Sequence, residues 1–273
     1  MGKWVTHGPF GGCCGEFLFH PTVKNLVFGV GDDLFRSYDG GIHWKRLNLR
    51  KVLNQEYLSI TTARLDPSNP DRIVVFADAF LISNDRGDHW QIIRPTFNPR
   101  PEDVYLKEFE IDPHNSRRMY AVLESGPGYK STDGGATWQY ISGASTPAMD
   151  QIELHPKASN ILYATSYNNR AIVIKSTDAG KTWRSFSSGL PNDFSGDLIL
   201  DRSDPNVLYI AGTAKTTDGG KKWIRTPCNC TVNGIALDPQ NKNVLYLSAS
   251  EGILKSTNGG FSWRFMPLPN VYG

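Results

Sequence analysis

The sequence predicts an all-β fold, a six-bladed β-propeller with four antiparallel strands and one turn motif in each blade. Three observations carry this reading. The pattern Ser/Thr-x-Asp/Asn-x-Gly-x-x-Trp occurs six times, beginning at Ser37, Ser83, Ser131, Ser176, Thr216 and Ser256. Its copies return every 40 to 48 residues, the mark of a tandem array of one small unit. Each copy is preceded by two short runs rich in Val, Ile, Leu and Tyr, split by a turn of Pro, Asn and Asp, which read as strands rather than helices. Four strands repeated at this period match blades that protect most of their sheet edges. A solenoid fits less well, because it needs distinct capping repeats and the first and last copies here look like the rest.

Taken in order, the blades span approximately residues 16–48, 59–94, 106–142, 149–187, 197–227 and 233–267, in one domain covering 1–273. Within each, an inner strand runs to the Pro turn, as in FEIDPHNSRRMYAVL from Phe109 to Leu123, and a second strand leaves it. A third strand enters the eight-residue motif and a fourth starts at its Trp. Residues 1–15 stand apart as an N-terminal seam segment, in which Trp4 resembles the start of a fourth strand without a blade of its own.

The motif has a mechanical reason that needs no ligand. Asp39, Asp85, Asp133, Asp178, Asp218 and Asn258 can accept hydrogen bonds from backbone N–H groups of the turn. The glycine two residues later supplies the positive φ that other residues resist. Trp44, Trp90, Trp138, Trp183, Trp223 and Trp263 then each bury a large ring beside the turn, contributing about 2 to 3 kcal/mol per copy. Thr216 keeps the hydroxyl and Asn258 keeps an acceptor oxygen, so both departures preserve the turn chemistry.

Composition excludes several classes of function. The 273 residues are 39% hydrophobic and 21% charged, enough for a core and unlike a disordered chain. The net charge is +2, and the basic clusters Arg46/Arg50/Lys51 and Arg117/Arg118 are short and scattered, which argues against nucleic acid as a partner. No apolar run approaches the ~20 residues of a membrane span, and the opening residues lack the apolar core of a signal peptide. The glycines belong to the repeat motifs, so there is no phosphate loop; five of the six histidines hold repeat positions, and no cofactor or metal site is expected.

Ligand chemistry is expected at the blade ends opposite the motif turns. There the inter-blade connections carry Glu56 and Tyr57, then Phe97, Arg100, Asp103 and Tyr105, then Asp193 and Phe194. Carboxylates interleaved with aromatic rings suit a sugar cleft, where rings stack and paired acids hydrolyse, and they equally describe a solvated loop.

The four cysteines fall in two inter-blade segments, Cys13 and Cys14 before blade one, and Cys228 and Cys230 before blade six. Bonds within either pair are short-spanned, so cross-pairing between the segments is the better disulfide arrangement. The first such bridge, closing more than 200 residues, is worth roughly 5 kcal/mol in the chain-entropy model. Free thiols and a metal site stay open as alternatives, although zinc ligands favour wider C-x2-4-C spacing.

The six motifs resemble those of the bacterial neuraminidase repeat, or Asp-box, proteins, and the likeness runs along nearly the whole chain. In that family the boxes are structural and face away from the usual ligand surface. The first blade, from Gly11 to Gly41, is similar to the opening blade of xyloglucan-cleaving endoglucanases of the glycoside hydrolase 74 type, which implies Asp32 or Asp33 as a catalytic aspartate. Those enzymes set acid and base on two facing propellers, and one is present here. Sialidases of this kind carry an early Arg-Ile-Pro, which this chain lacks. Non-enzymatic kin, the photosystem II assembly factors and the sortilin ectodomain, bind proteins or peptides. The expectation is a non-catalytic binding or scaffold module for a protein or glycan, with a glycoside hydrolase as the alternative.

Overall fold

The computed structural model describes residues 15–99, 101, 105–124, 126, 128–141, 148–166, 172–191, 194, 197–226, 228, 230–250 and 252–266. Cys13, Cys14, Arg100, Asp103 and Asp193, with residues 1–14 of the seam segment, lie outside them. Six sheets, each with four antiparallel strands, follow one another along the chain, the blades of an all-β, six-bladed β-propeller. The chain divides into two compact units, Met1–Glu124 with Gly128–Ile141, and Ser125–Pro127 with Ser142–Gly273.

The first unit holds blades one to three. Blade one is β1 (Glu16–Phe19), β2 (Val27–Val30), β3 (Leu34–Ser37) and β4 (Lys45–Arg46). A helix of five residues, α1 (Leu49–Leu53), follows and was not foreseen. Asn48 and Asn54 flank it in left-handed conformation, and Leu49 and Leu53 face inward. Blade two is β5 (Thr62–Asp66), β6 (Asn69–Phe76), β7 (Phe80–Ser83) and β8 (Gln91–Ile93). Next comes β9 (Thr96–Asn98), then blade three with β10 (Leu106–Asp112), β11 (Asn115–Leu123), β12 (Gly128–Ser131) and β13 (Thr137–Tyr140). β9 pairs in parallel with β13, so blade three has a fifth strand outside its fourth.

The second unit holds the other three blades. Blade four is β14 (Gln151–Leu154), β15 (Leu162–Ser166), β16 (Ile172–Ser176) and β17 (Arg184–Ser185). Blade five is β18 (Leu198–Leu200), β19 (Leu208–Ile210), β20 (Ala214–Thr216) and β21 (Ile224–Arg225). Blade six is β22 (Val232–Leu237), β23 (Leu245–Ala249), β24 (Gly252–Ser256) and β25 (Arg264–Met266).

Alternation along the second strand of a blade supplies two cores at once, because successive side chains leave opposite faces of a strand. Ile73 and Val75 of β6 pack with Leu26, Phe28, Leu49 and Leu81 of one cluster. Val74 and Phe76 pack with Phe109, Tyr129 and Trp138 of the next. In the second unit, Leu208 and Ile210 of β19 join Tyr163 and Trp223, while Tyr209 meets Leu245.

In each box turn the Ser or Thr hydroxyl and the Asp or Asn side chain are bonded within the turn. In blade one the Ser37 hydroxyl donates to Asp39 Oδ1 at 2.8 Å and accepts the Gly41 N–H at 2.8 Å. The same Oδ1 accepts the N–H groups of Ile42 and His43, at 3.0 and 2.9 Å, and Trp44 Nε1 donates to the Gly41 carbonyl at 2.9 Å. Gly41 holds φ at 97°. Thr216 repeats the hydroxyl bond to Asp218 at 2.7 Å, and Asn258 Oδ1 accepts the Ser262 N–H at 2.9 Å.

A second recurrent device ties neighbouring blades. The Lys175 ammonium sits over the Tyr163 ring at 4.8 Å, and both groups donate to the Gly219 carbonyl in the next blade's box, at 3.1 and 3.2 Å. Lys130 over Tyr120, Lys215 over Tyr209 and Lys255 over Tyr246 repeat the cation–π pair.

Candidate functional site

In the first unit, the hairpin between β2 and β3 bonds to β4 and α1, and the connection into β5 bonds to the hairpin between β6 and β7. Asp33, in the hairpin between β2 and β3, is completely buried. Its Oδ1 accepts the Leu34 N–H at 2.8 Å and the Leu49 N–H at 2.9 Å, and its Oδ2 accepts Arg46 Nε at 2.8 Å. This carboxylate therefore anchors α1 and β4 to the hairpin. Its neighbour Asp32 has a side chain 53% exposed, and its Oδ2 is shared by Arg46, at 3.2 Å, and Arg50, at 2.9 Å.

The connection after α1 is pinned by Gln55, whose Nε2 donates to Asp78 in the next hairpin at 2.7 Å. Beyond that bond Glu56 is exposed and Tyr57 stands 81% exposed. Tyr105 is 65% exposed, while its carbonyl accepts the Glu124 N–H at 2.8 Å. Rings presented on an anchored backbone suit binding, since little order is lost when a partner stacks on them.

Two of the expected ligand contacts are corrected. Phe97 is 5% exposed: it lies in β9, stacks on Trp138 at 5.9 Å and meets Tyr129 edge-on at 5.0 Å. Phe194 is 3% exposed and packs with Leu198, Leu208 and Trp223. Both rings fill core between a connection and the following blade, because an aromatic in a linker gains more from the neighbouring box Trp than from water.

The cysteine pairing is also corrected. Cys228 bonds Cys230 instead of the N-terminal pair, their Cα atoms 5.3 Å apart. One intervening residue is enough to reach the ordinary span of about 4.4 to 6.8 Å. The Cys228 N–H donates to the Gly212 carbonyl at 3.0 Å, which ties the connection to the hairpin of blade five.

A cluster missed in the sequence joins the inner strands of the first three blades. Arg64 on β5 donates from Nε to Glu110 on β10 at 2.7 Å and from Nη1 to Glu16 on β1 at 3.0 Å. Burial works against the Arg64 charge, and the carboxylates of Glu110 and Glu16 outweigh it, so its pKa lies above the ordinary range. Burial raises the Glu16 carboxyl. A signal existed: Arg64 and Glu110 hold the same place in ARLDP and FEIDP, three residues before the turn Pro, where a charge interrupts an apolar strand. Among the described residues no three His, Cys, Asp or Glu side chains are grouped to hold a metal ion, and no helix is long and apolar enough to cross a membrane.

This geometry agrees with the chain's relatives at the level of fold. Xyloglucanase Xgh74A of Acetivibrio thermocellus is 24% identical over 252 residues, which is 82% of this chain and 27% of the xyloglucanase. The chain thus spans about a quarter of the length of the curated relatives it matches. The GH74 enzyme of Niastella koreensis superposes with a TM-score of 0.66 at 17% identity, over 91% of this chain and 44% of that one. YCF48, solved bound to D1 peptide, gives a TM-score of 0.62 at 17% identity, over 91% of this chain and 83% of its own. The Sortilin-Vps10 family, described as sortilin, neurotensin receptor 3, matches residues 78–215, just over half of the chain. The chain belongs to the Sortilin-Vps10 family.

Proposed function

We propose that the chain is a non-catalytic binding module that recognises a protein or glycan through the face opposite the box turns. The observation that carries the reading is the use already made of the two aspartates. Asp33 is buried with both oxygens bonded to Leu34, Leu49 and Arg46, and Asp32 is clasped by Arg46 and Arg50. A glycosidase acid needs a carboxyl within reach of the glycosidic oxygen and a proton to give it. Tyr57 and Tyr105 offer exposed rings in the connections into β5 and β10, and the first unit also carries the Asp32–Arg46–Arg50 cluster. YCF48, of the same fold, was solved with a peptide.

Probing a peptide array and a glycan array with the wild type and with a Tyr57→Ala/Tyr105→Ala double variant tests this. Signals that drop at least tenfold in the folded double variant support the loop face; equal signals from both proteins refute it. A second reading, glycoside hydrolysis, is favoured by the exposure of Asp32 and by the xyloglucanase relatives. It requires a dimer or a second acid, such as Glu56 or Asp103 on the same face, at about 5 to 10 Å.

A further inference from the structure

Box six differs from the other five at one chemical group. Its third residue is Asn258, where boxes one to five carry Asp39, Asp85, Asp133, Asp178 and Asp218, and Gly259 follows it. An asparagine before glycine is open to attack by the next backbone nitrogen on its side-chain amide, because glycine has no Cβ to block the approach. The chain's other Asn–Gly pair, Asn233–Gly234, lies at a bulge in β22 and outside the boxes.

The turn is already built for the acid. Asn258 Oδ1 accepts the Ser256 hydroxyl and the Ser262 N–H, each at 2.9 Å, as Asp178 Oδ1 accepts the Ser176 hydroxyl and the Thr182 N–H, each at 2.8 Å. Asn258 Nδ2 donates to Ser262 Oγ at 2.9 Å, whereas in boxes three and four the hydroxyls of Thr137 and Thr182 donate to the Asp Oδ2 at 2.6 Å. Oxygen in the place of Nδ2 asks only that the Ser262 hydroxyl turn its proton round. The surroundings favour a negative charge as well. Burial, then Lys221, lowers the pKa of Lys175 in blade four, and Asp218 of box five raises it. Its counterpart in blade five, Lys215, sits over the Tyr209 ring, and a Cβ on Gly259 would come within 2.8 Å of its Nζ. Burial, then Lys242, lowers the Lys215 pKa and Asp201 raises it, while the neutral Asn258 brings no charge.

The same turn restrains the reaction. The Gly259 nitrogen is the nucleophile, and its N–H donates to the Asn243 carbonyl at 2.9 Å, while three bonds hold the Asn258 amide. We infer that Asn258–Gly259 is a site of spontaneous deamidation, through which box six acquires the aspartate that the other five boxes encode, at a rate set by opening of the turn. In the opened turn the Gly259 nitrogen bonds to the side-chain amide carbon of Asn258. The bond from that carbon to Nδ2 breaks, and ammonia leaves with the Gly259 proton, which gives a cyclic succinimide. One water then opens the ring. Addition at the side-chain carbon gives aspartate; addition at the main-chain carbon gives isoaspartate, whose backbone is one methylene longer and does not fit the box bonds. Closure of the turn retains the aspartate through charge-assisted hydrogen bonds, and the isoaspartate stays open to cyclise again.

The test incubates the whole folded protein at mildly alkaline pH and follows the tryptic peptide 256–264, which is separate from the peptide that carries Asn233, by mass spectrometry. Conversion of Asn258 is expected, with a larger share of aspartate over isoaspartate than in the same chain held unfolded in urea. Ser256→Ala removes the hydroxyl that bonds Asn258 Oδ1 and the Gly260 N–H, and is expected to speed conversion at least about tenfold. Sub-denaturing urea does the same for the wild type, which keeps the test open if that variant does not fold. Asn258→Asp makes the product directly. Its urea midpoint is expected above that of the wild type at neutral pH, and the gap to close as the pH falls through the carboxyl's folded value. No conversion in the folded protein over a time in which the unfolded chain converts completely overturns the inference. So does a rate unchanged by Ser256→Ala and by sub-denaturing urea, an isoaspartate share equal to that of the unfolded chain, or an Asn258→Asp protein less stable than the wild type.

Discussion

At the scale of single residues, Asp33 and Asp32 separate two meanings of one dipeptide. A buried carboxylate that accepts two backbone N–H groups and one guanidinium leaves three donors stranded when it is removed. Asp33→Ala is therefore expected to lose about 3 kcal/mol in urea unfolding, whereas Asp32→Ala, half exposed, changes stability by less than about 1 kcal/mol. Equal losses contradict these assignments. The sequence marks both as hairpin residues, and only the folded position of Leu49 and Arg46 separates them, because their bonds to Asp33 span 16 and 13 residues. Local chemistry is more legible. The box Asp–Ser–Gly bonds all lie within four residues, and the motif declares them.

The same boxes respond to acid. The Thr182 hydroxyl, then the Thr182 N–H, lower the Asp178 carboxyl from 3.8 to about 2. A carboxyl with a lower pKa in the folded state stabilises fully above the unfolded value, and that contribution is lost as the pH falls through the folded value. The urea midpoint is expected to fall between about pH 4 and pH 2, and Thr182→Val to flatten that fall. An unchanged slope in Thr182→Val contradicts this cause.

At the scale of elements, the connections between blades act as packing pieces. β9 supplies a fifth strand, and Phe186 and Ser188 take the N–H groups of Trp223 at 2.7 and 2.8 Å. Phe97→Ala is expected to cost about 3 to 5 kcal/mol, as for other buried phenylalanines, and to expose Trp138 as a red shift in emission. A loss below about 1 kcal/mol means that β9 does not hold the ring in solution. Blade order, strand order and turn positions were legible, because each rests on a period repeated six times. The roles of Phe97 and Phe194 were not, since a linker aromatic reads the same whether it faces solvent or the next blade. The Lys–Tyr pairs recur as LY followed by K-S/T, as in Tyr163 with Lys175 and Tyr209 with Lys215, but only the folded structure shows that Tyr163 and Lys175 converge on the Gly219 carbonyl.

At the scale of the molecule, the scaffold accounts for nearly every conspicuous residue. The tryptophans, glycines and carboxylates of the boxes build turns, and the inner-turn acids Asp66 and Asp112 pair with Arg72 and Arg118. What is left over in the first unit are the exposed rings of Tyr57 and Tyr105 and the Asp32–Arg46–Arg50 cluster, the residues on which the proposed binding role rests. The most direct measurement is release of reducing sugar from xyloglucan, a panel of β-glucans and sialylated glycans by the wild type and by an Asp32→Asn/Asp33→Asn double variant. The account predicts no release from any of them by folded wild-type protein. Release by the wild type that vanishes in a folded double variant contradicts it and establishes a hydrolase at the first hairpin.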